Sequence, residues 1–267
     1  MPTMRTTIAI KNRLSELERV SHAVEELGQR LGLPAKVTFE LSLAVDEVVT
    51  NIISYAYDAG GEHDIVVRLE EQSGEIIVEI EDDGRPFNPL TVPEPRVDLP
   101  IEERRLGGLG MHLVRKATDA LEYHRRRNKN LLVMRKKLSV ASGATPRREH
   151  ETEISEMKTR GIVVLAVAGR LDAGNAPALD RKLHAAIDAG NSKVVVDARL
   201  IDFIGSAGLQ VLLVAAKRLA ASDGKIAVAA ANDSVKEVFE IAGLASLFKF
   251  YPTVSEAVAA LAYRPPP

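Results

Sequence analysis

Three short stretches in the first half of the sequence hold residue types that could do chemistry together. Asp46-Glu47-Val-Val-Thr-Asn51 sets a carboxylate and an amide four residues apart, and on a helix that spacing puts Glu47 and Asn51 on one face. Such a pair can address a hydrated Mg2+ and a reacting hydroxyl together, because Mg2+ takes few protein oxygens and keeps water and phosphate oxygens around it. Asp82-Asp83-Gly84-Arg85-Pro86 is an acidic strand end turned by glycine. Its carboxylate can accept a hydrogen bond from an exocyclic amine such as that of adenine, and Gly84 lets the backbone approach a ring. Arg105-Leu-Gly-Gly-Leu-Gly-Met111 brings three glycines to the start of a helix, where freed amides and the positive helix end suit phosphate. Taken singly, the first stretch also reads as a solvated helix face and the second as an acidic turn. A lone glycine-rich helix start says little; the order and spacing of all three say more.

The elements that must position these residues follow from periodicity. Thr6 to Ile10 alternates like a strand, and Leu14, Leu17, Val20, Val24, Leu27 and Leu31 recur at helical spacing. Pro34 suits the first turn of a second helix running to about Tyr57 and ended by Asp58-Ala-Gly-Gly61. Two alternating runs, Ile65 to Leu69 and Glu75 to Glu81, joined by Gln72-Ser-Gly74, predict a hairpin. The weakly patterned, Pro-rich stretch from Gly84 to Arg105 is too long for a simple connection and reads as a functional loop. A helix from about Leu109 to Ala117 and strands near Leu121–Arg126 and Asn130–Lys137 complete an α+β order, a mostly antiparallel sheet with helices on one face.

Apolar periodicity lapses over residues 139–151, which read as a linker between a domain at 1–138 and one at 152–267. A coil of that length spans about 20 Å root-mean-square. The second half alternates strand and helix: Ile162–Val167, helix Ala176–Ala189, Lys193–Asp197, helix Ser206–Ala221, Ile226–Ala229, then helices Val235–Ala242 and Val254–Ala262. This order predicts a mainly parallel sheet with helical cover. Ser206, just after Phe203-Ile-Gly205, falls where a helix N-cap belongs. A phosphoryl group there would add roughly −1.5 to −2 charges beside the positive helix end, yet would disrupt an apolar docking surface. The basic clusters Arg125-Arg126-Arg127 and Arg135-Lys136-Lys137 lie at strand ends and read as solvated edges.

The helix motif E-x-x-x-N, the strand-end D-x-G, a variable loop and G-x-G at a helix start resemble the ATPase superfamily shared by gyrase, Hsp90-type chaperones, histidine kinases and mismatch-repair ATPases, over roughly residues 5–138. The wording of Asp46–Asn51 and of Asp82-Asp-Gly-Arg-Pro-Phe-Asn-Pro89 is most similar to the anti-sigma-factor serine kinases. On that resemblance ATP and Mg2+ are the cofactors. Asn51 would hold Mg2+, Glu47 would be the general base for the acceptor hydroxyl, and Asp82 would read adenine. Gly84, Gly108 and Gly110 would shape the nucleotide pocket, and Arg105, or its neighbour Arg104, would reach the terminal phosphate from the lid. In the second half, Gly169-Arg-Leu-Asp172, the Val194–Leu209 segment and Val238-Phe-Glu-Ile-Ala-Gly243 resemble the STAS domain of anti-sigma-factor antagonists, over about residues 152–263. Ser206 inherits the phosphoacceptor role, and Asp172 is a turn residue.

The expectation is therefore a histidine-kinase-like ATPase domain followed by an α/β STAS domain, the two antagonists of a partner-switching circuit. A serine kinase would act on a STAS serine in cis, in trans or on a separate antagonist. The rival is a non-catalytic, nucleotide-gated module that holds or releases a sigma factor or other client. A histidine kinase fits poorly, since His22 is the sole histidine before Glu47. Further expected partners are a serine phosphatase and a second copy in a homodimer. Apolar residues at 46%, charged residues at 27% and a net charge of −2 point to neither nucleic acid nor membrane. The absence of cysteine excludes disulfides and thiolate metal sites. With no apolar run long enough to span a bilayer and no leader pattern, the expected location is the cytoplasm.

Overall fold

The structure, a computed structural model, describes residues 5–58, 61–96, 103, 108–138 and 152–263. The chain divides into two compact units. The expected linker at 139–151 and the candidates Arg104 and Arg105 lie outside the described residues.

The first unit runs β1 (Arg5–Lys11), α1 (Leu17–Leu31), α2 (Ala35–Tyr55), β2 (Asp64–Gln72), β3 (Glu75–Asp82), α3 (Leu109–Ala117), β4 (Ala120–Arg126) and β5 (Lys129–Lys137). Its sheet has the order β1-β2-β3-β5-β4 with every pair antiparallel. Alternation decides which face is dry: Ile65, Val67 and Leu69 of β2 and Ile76, Val78 and Ile80 of β3 are all buried. Each such aliphatic side chain contributes about 1.5–3 kcal/mol on burial. The residues between them carry an ion-pair ladder instead, Arg68 with Glu79 and Glu81, and Lys129 with Glu81. The β2–β3 turn uses Ser73 and Gly74, both at positive φ (54° and 80°), the twist a two-residue hairpin requires.

Pro34 stands one residue ahead of α2 as its N-cap, with extended ψ of 142°, rather than inside the first turn. At the other end α2 stops at Tyr55, and the Tyr57 ring beyond it stacks on His63 with ring centroids 4.2 Å apart. The basic clusters are not uniformly solvated. Lys136 makes a 2.6 Å ion pair with Glu40 of α2, both side chains 13% exposed, and Arg125 turns inward, as described below.

The second unit comprises β6 (Glu153–Thr159), β7 (Ile162–Leu171), α4 (Ala176–Asp188), β8 (Lys193–Ile204), α5 (Ser206–Ala220), β9 (Lys225–Ala229), α6 (Asp233–Ile241), β10 (Lys249–Tyr251) and α7 (Val254–Ala262). The sheet order is β10-β9-β8-β7-β6, parallel from β10 to β7, with β6 added antiparallel at the edge. Sequence periodicity missed β6 and β10 and cut β8 short. β6 pairs on one side alone and exposes most of its side chains, so it lacks an apolar rhythm. β8 runs on through the polar Asp197-Ala-Arg199 as far as Ile204, with register shifts against β7.

Candidate functional site

Glu47 and Asn51 sit one turn apart on α2, and the Glu47 carboxyl is buried at 3% exposure. They meet the first turn of α3. A Cβ on Gly110 would lie 2.5 Å from Glu47 Oε2 and 3.5 Å from Asn51 Nδ2, so any side chain here would push on Glu47. Gly108, the residue ahead of α3, has φ of 82°, a left-handed conformation that costs other residues about 1–2 kcal/mol. Gly108 offers no side-chain cap to α3, and the positive end of a helix suits an anion. Among the described residues no three His, Cys, Asp or Glu side chains converge as a metal cage. A Mg2+ held here would draw most of its oxygens from phosphate and water.

Asp82 closes β3 and is 4% exposed. Its Oδ1 accepts from the Gly84 amide and from Asn130 Nδ2, each at 2.8 Å. Its Oδ2 has no hydrogen-bond partner among the described residues. Burial pushes the carboxyl pKa up, while Asn130, the Gly84 amide and the Arg125 charge pull it back. Gly84 packs on the end of α2, where a Cβ would come within 2.6 Å of Ala56 Cβ and 2.7 Å of its carbonyl, and Arg85 N donates to that carbonyl at 2.8 Å. Both the α3 start and the Asp82 turn are thus docked on α2. Beside the turn, burial and the charges of Asp82 and Asp83 push the Tyr57 hydroxyl pKa upward, and His63 Nδ1 contacts Asp83 at 3.1 Å.

Four further side chains belong to this region, and the sequence did not single them out for it. Asn130 of β5 is 6% exposed and joins Asp82 to Tyr123 and Arg125 of β4. Its signal was available: it falls in phase with Leu132 and Met134, a polar residue on the core face of a strand. Arg115 of α3 donates to the Leu90 and Val92 carbonyls at 3.1 and 2.6 Å, fixing the root of the long loop.

In the second unit Ser206 is the first residue of α5, not its N-cap. Gly205 holds that place in an extended conformation and offers no side-chain cap. The Gly205 amide donates to the Leu171 carbonyl at 3.1 Å, and a Cβ on Gly208 would come within 2.8 Å of the same oxygen. The glycines therefore seat α5 tightly against the end of β7, leaving Ser206 half-buried at the junction. Asp172 shapes the neighbouring turn: its carboxylate accepts from the amides of Gly174 and Asn175 and from Arg170 Nε, while the Arg170 guanidinium lies 3.9 Å from the centre of the Phe203 ring.

Comparison with known proteins agrees with this division. The family model for the histidine kinase-like ATPase domain matches residues 10–136, and that for the STAS domain matches residues 154–257. BtrV of Bordetella bronchiseptica, named for an anti-sigma factor antagonist, is 37% identical over 91 residues, covering 34% of this chain and 78% of that protein. The serine/threonine-protein kinase BtrW of the same organism is 30% identical over 111 residues, 42% of this chain and 78% of that one. The serine-protein kinase RsbW of Halalkalibacterium halodurans is 30% identical over 124 residues, 45% of this chain and 74% of that one. Through its first unit the chain belongs to the histidine kinase-like ATPase family, and through its second to the STAS family, a kinase-like ATPase fused to a STAS domain.

Proposed function

We propose that the chain is a partner-switching regulator whose first unit transfers a phosphoryl group from ATP to a serine of a STAS domain. The observation that carries this reading is the meeting of the Glu47 carboxyl and the Asn51 amide with the start of α3 at Gly110, which has no side chain to part them. Asp82 supports it from the other end of α2: Ala56, against which Gly84 packs, follows Glu47 by nine residues. That is roughly 13 Å of helix, comparable to the reach from a purine amine to the terminal phosphate of an extended nucleotide.

In this scheme Asp82 Oδ2 accepts from the adenine amine and the α3 amides hold phosphate oxygens. Mg2+, when bound, would neutralise charge on the phosphates, with Asn51 as its protein ligand. Glu47 accepts the proton of the serine hydroxyl as the serine oxygen bonds to the terminal phosphorus and the bond to the ADP oxygen breaks. Arg105 would steady the terminal phosphate. The acceptor is Ser206 of the same chain, Ser206 of a second copy, or a separate antagonist, and the two domains, 1–138 and 152–267, are joined by the linker at 139–151. A sigma factor or analogous client, a serine phosphatase and a homodimeric partner complete the circuit, which we place in the cytoplasm; among the described residues no helix is long and apolar enough to cross a membrane.

Intact-mass analysis after incubation with Mg-ATP tests this. The wild type should gain one phosphate mapped to Ser206, and Ser206→Ala should gain none. If neither the wild type nor an added separate STAS antagonist is labelled, the kinase reading fails. Client release that persists in Glu47→Gln but is lost in Asn51→Ala would instead indicate a nucleotide-gated binding module.

A further inference from the structure

Asn130 is a buried amide whose hydrogen-bonding capacity is fully used. An asparagine side chain offers two donor hydrogens and two acceptor lone pairs. Here Nδ2 donates to Asp82 Oδ1 at 2.8 Å and to the Arg85 carbonyl at 3.1 Å, while Oδ1 accepts from Tyr123 Oη at 2.7 Å and Arg125 Nη1 at 2.8 Å. The orientation is forced. Turning the amide over would set oxygen against the Asp82 carboxylate and an NH2 group against a guanidinium, which can only donate. Arg125 Nη1 also donates to the Gly84 carbonyl at 2.9 Å, so one cation fixes both the amide and the glycine turn.

We propose that Asn130, oriented by Arg125 and Tyr123, is a positioning residue that holds Asp82 as a hydrogen-bond acceptor and thereby sets the preference for adenine over guanine nucleotides. The inference rests on the reading of Asp82 as the purine contact. An ionised carboxylate only accepts hydrogen bonds and so, at the C6 edge of a purine, favours the amine of adenine; a neutral carboxyl can donate and tolerates the C6 carbonyl of guanine in that place. Burial drives Asp82 toward the neutral form, and so does the charge of Asp83 on the same turn. Opposing them are the Asn130 donor, the Gly84 amide and Arg125 from β4. Two more titratable groups face the turn: Tyr57, which follows α2, and His63, which precedes β2 and is held by Asp83. Without the Asn130 donor, the balance at Asp82 tips toward protonation, and the acceptor is lost as pH falls.

Calorimetry on the full chain with ATP and with GTP, between pH values of about 5.5 and 8.5 where a buried carboxyl can titrate, reads this directly. The wild type should prefer ATP across the range. In Asn130→Leu, ATP affinity should fall about 10- to 100-fold near neutrality, the loss of one hydrogen bond to a charged group. It should recover as pH rises, and the preference over GTP should shrink as pH falls. Tyr123→Phe, which keeps the amide but removes one of its orienting donors, should shift both readouts the same way by about 3-fold, and it carries the test if Asn130→Leu does not fold. A folded Asn130→Leu, or a Tyr123→Phe, with the wild-type ATP-to-GTP ratio at every pH overturns the proposal. Wild-type protein that binds neither nucleotide, or an Asp82→Asn variant with unchanged preference, would instead remove the purine reading beneath it.

Discussion

The starts of α3 and α5 are built from similar words, glycines at the N-terminus of a helix, and put them to opposite uses. At α3, Gly108 takes a left-handed turn ahead of the helix, and Gly110 leaves room for the Glu47 and Asn51 side chains against it. At α5, Gly205 and Gly208 withhold side chains so that the helix can press against the Leu171 carbonyl, and Ser206 is what the junction displays. The first set brings polar side chains up to a helix start; the second seats a helix that begins with a hydroxyl. The starts of α6 and α7 supply the contrast, since there Asn232 and Thr253 cap the first turn with their own side chains. A glycine at a helix start therefore marks a function only once what it faces is known.

The largest break in this comparison should come from Gly110→Ala. The added methyl would push the Glu47 carboxyl out of place, and a misplacement of about 1 Å can cost about 100-fold in rate. Phosphoryl transfer should fall by about that factor while the Tm holds, because alanine is the better helix former. A matching fall in Tm would make Gly110 a packing glycine like Gly208. For Gly208→Ala the expectation reverses. Contact with the Leu171 backbone costs about 2–3 kcal/mol, helix propensity returns about 1, and the net loss of about 1–2 kcal/mol should appear in the denaturant unfolding of the second unit with ATP affinity unchanged. Smallest of the three, Asn232→Ala should cost about 1 kcal/mol by removing the cap on Val235 N and leave both nucleotide binding and phosphorylation intact. Any loss of phosphorylation there would show that capped helix starts also serve the chemistry.

Much of this was legible in the residues. The bounds of α3 and α7 and the Ser73-Gly74 turn follow from periodicity and glycine placement, because those segments bury one face against their own unit. The meeting of Glu47, Asn51 and Gly110 was implied by motif spacing, but no spacing encodes the 2.5 Å that makes Gly110 necessary. Ser206 looked like an N-cap because serine favours that position; the extended Gly205 took it instead, drawn by the hydrogen bond to Leu171. Arg125 and Asn130 stayed hidden inside a polar run, Arg125-Arg-Arg-Asn-Lys-Asn130. Only strand register tells which members of that run turn inward, and register is a tertiary fact: Asp82 of β3 lies opposite Asn130, and Asn130 opposite Arg125.

The bond from the Gly205 amide to Leu171 also limits what a modification at Ser206 can accomplish. A helix whose first turn is free can fray or tilt to accommodate new bulk, whereas this one is hydrogen-bonded to β7 through its N-cap, Gly205, and packs closely on the same carbonyl at Gly208. A dianion added at such a point would alter the electric field and hydration outside the domain far more than its contour. Whatever binds that surface would have to sense the modification as repulsion or attraction, a signal that dissolved salt attenuates over roughly 10 Å.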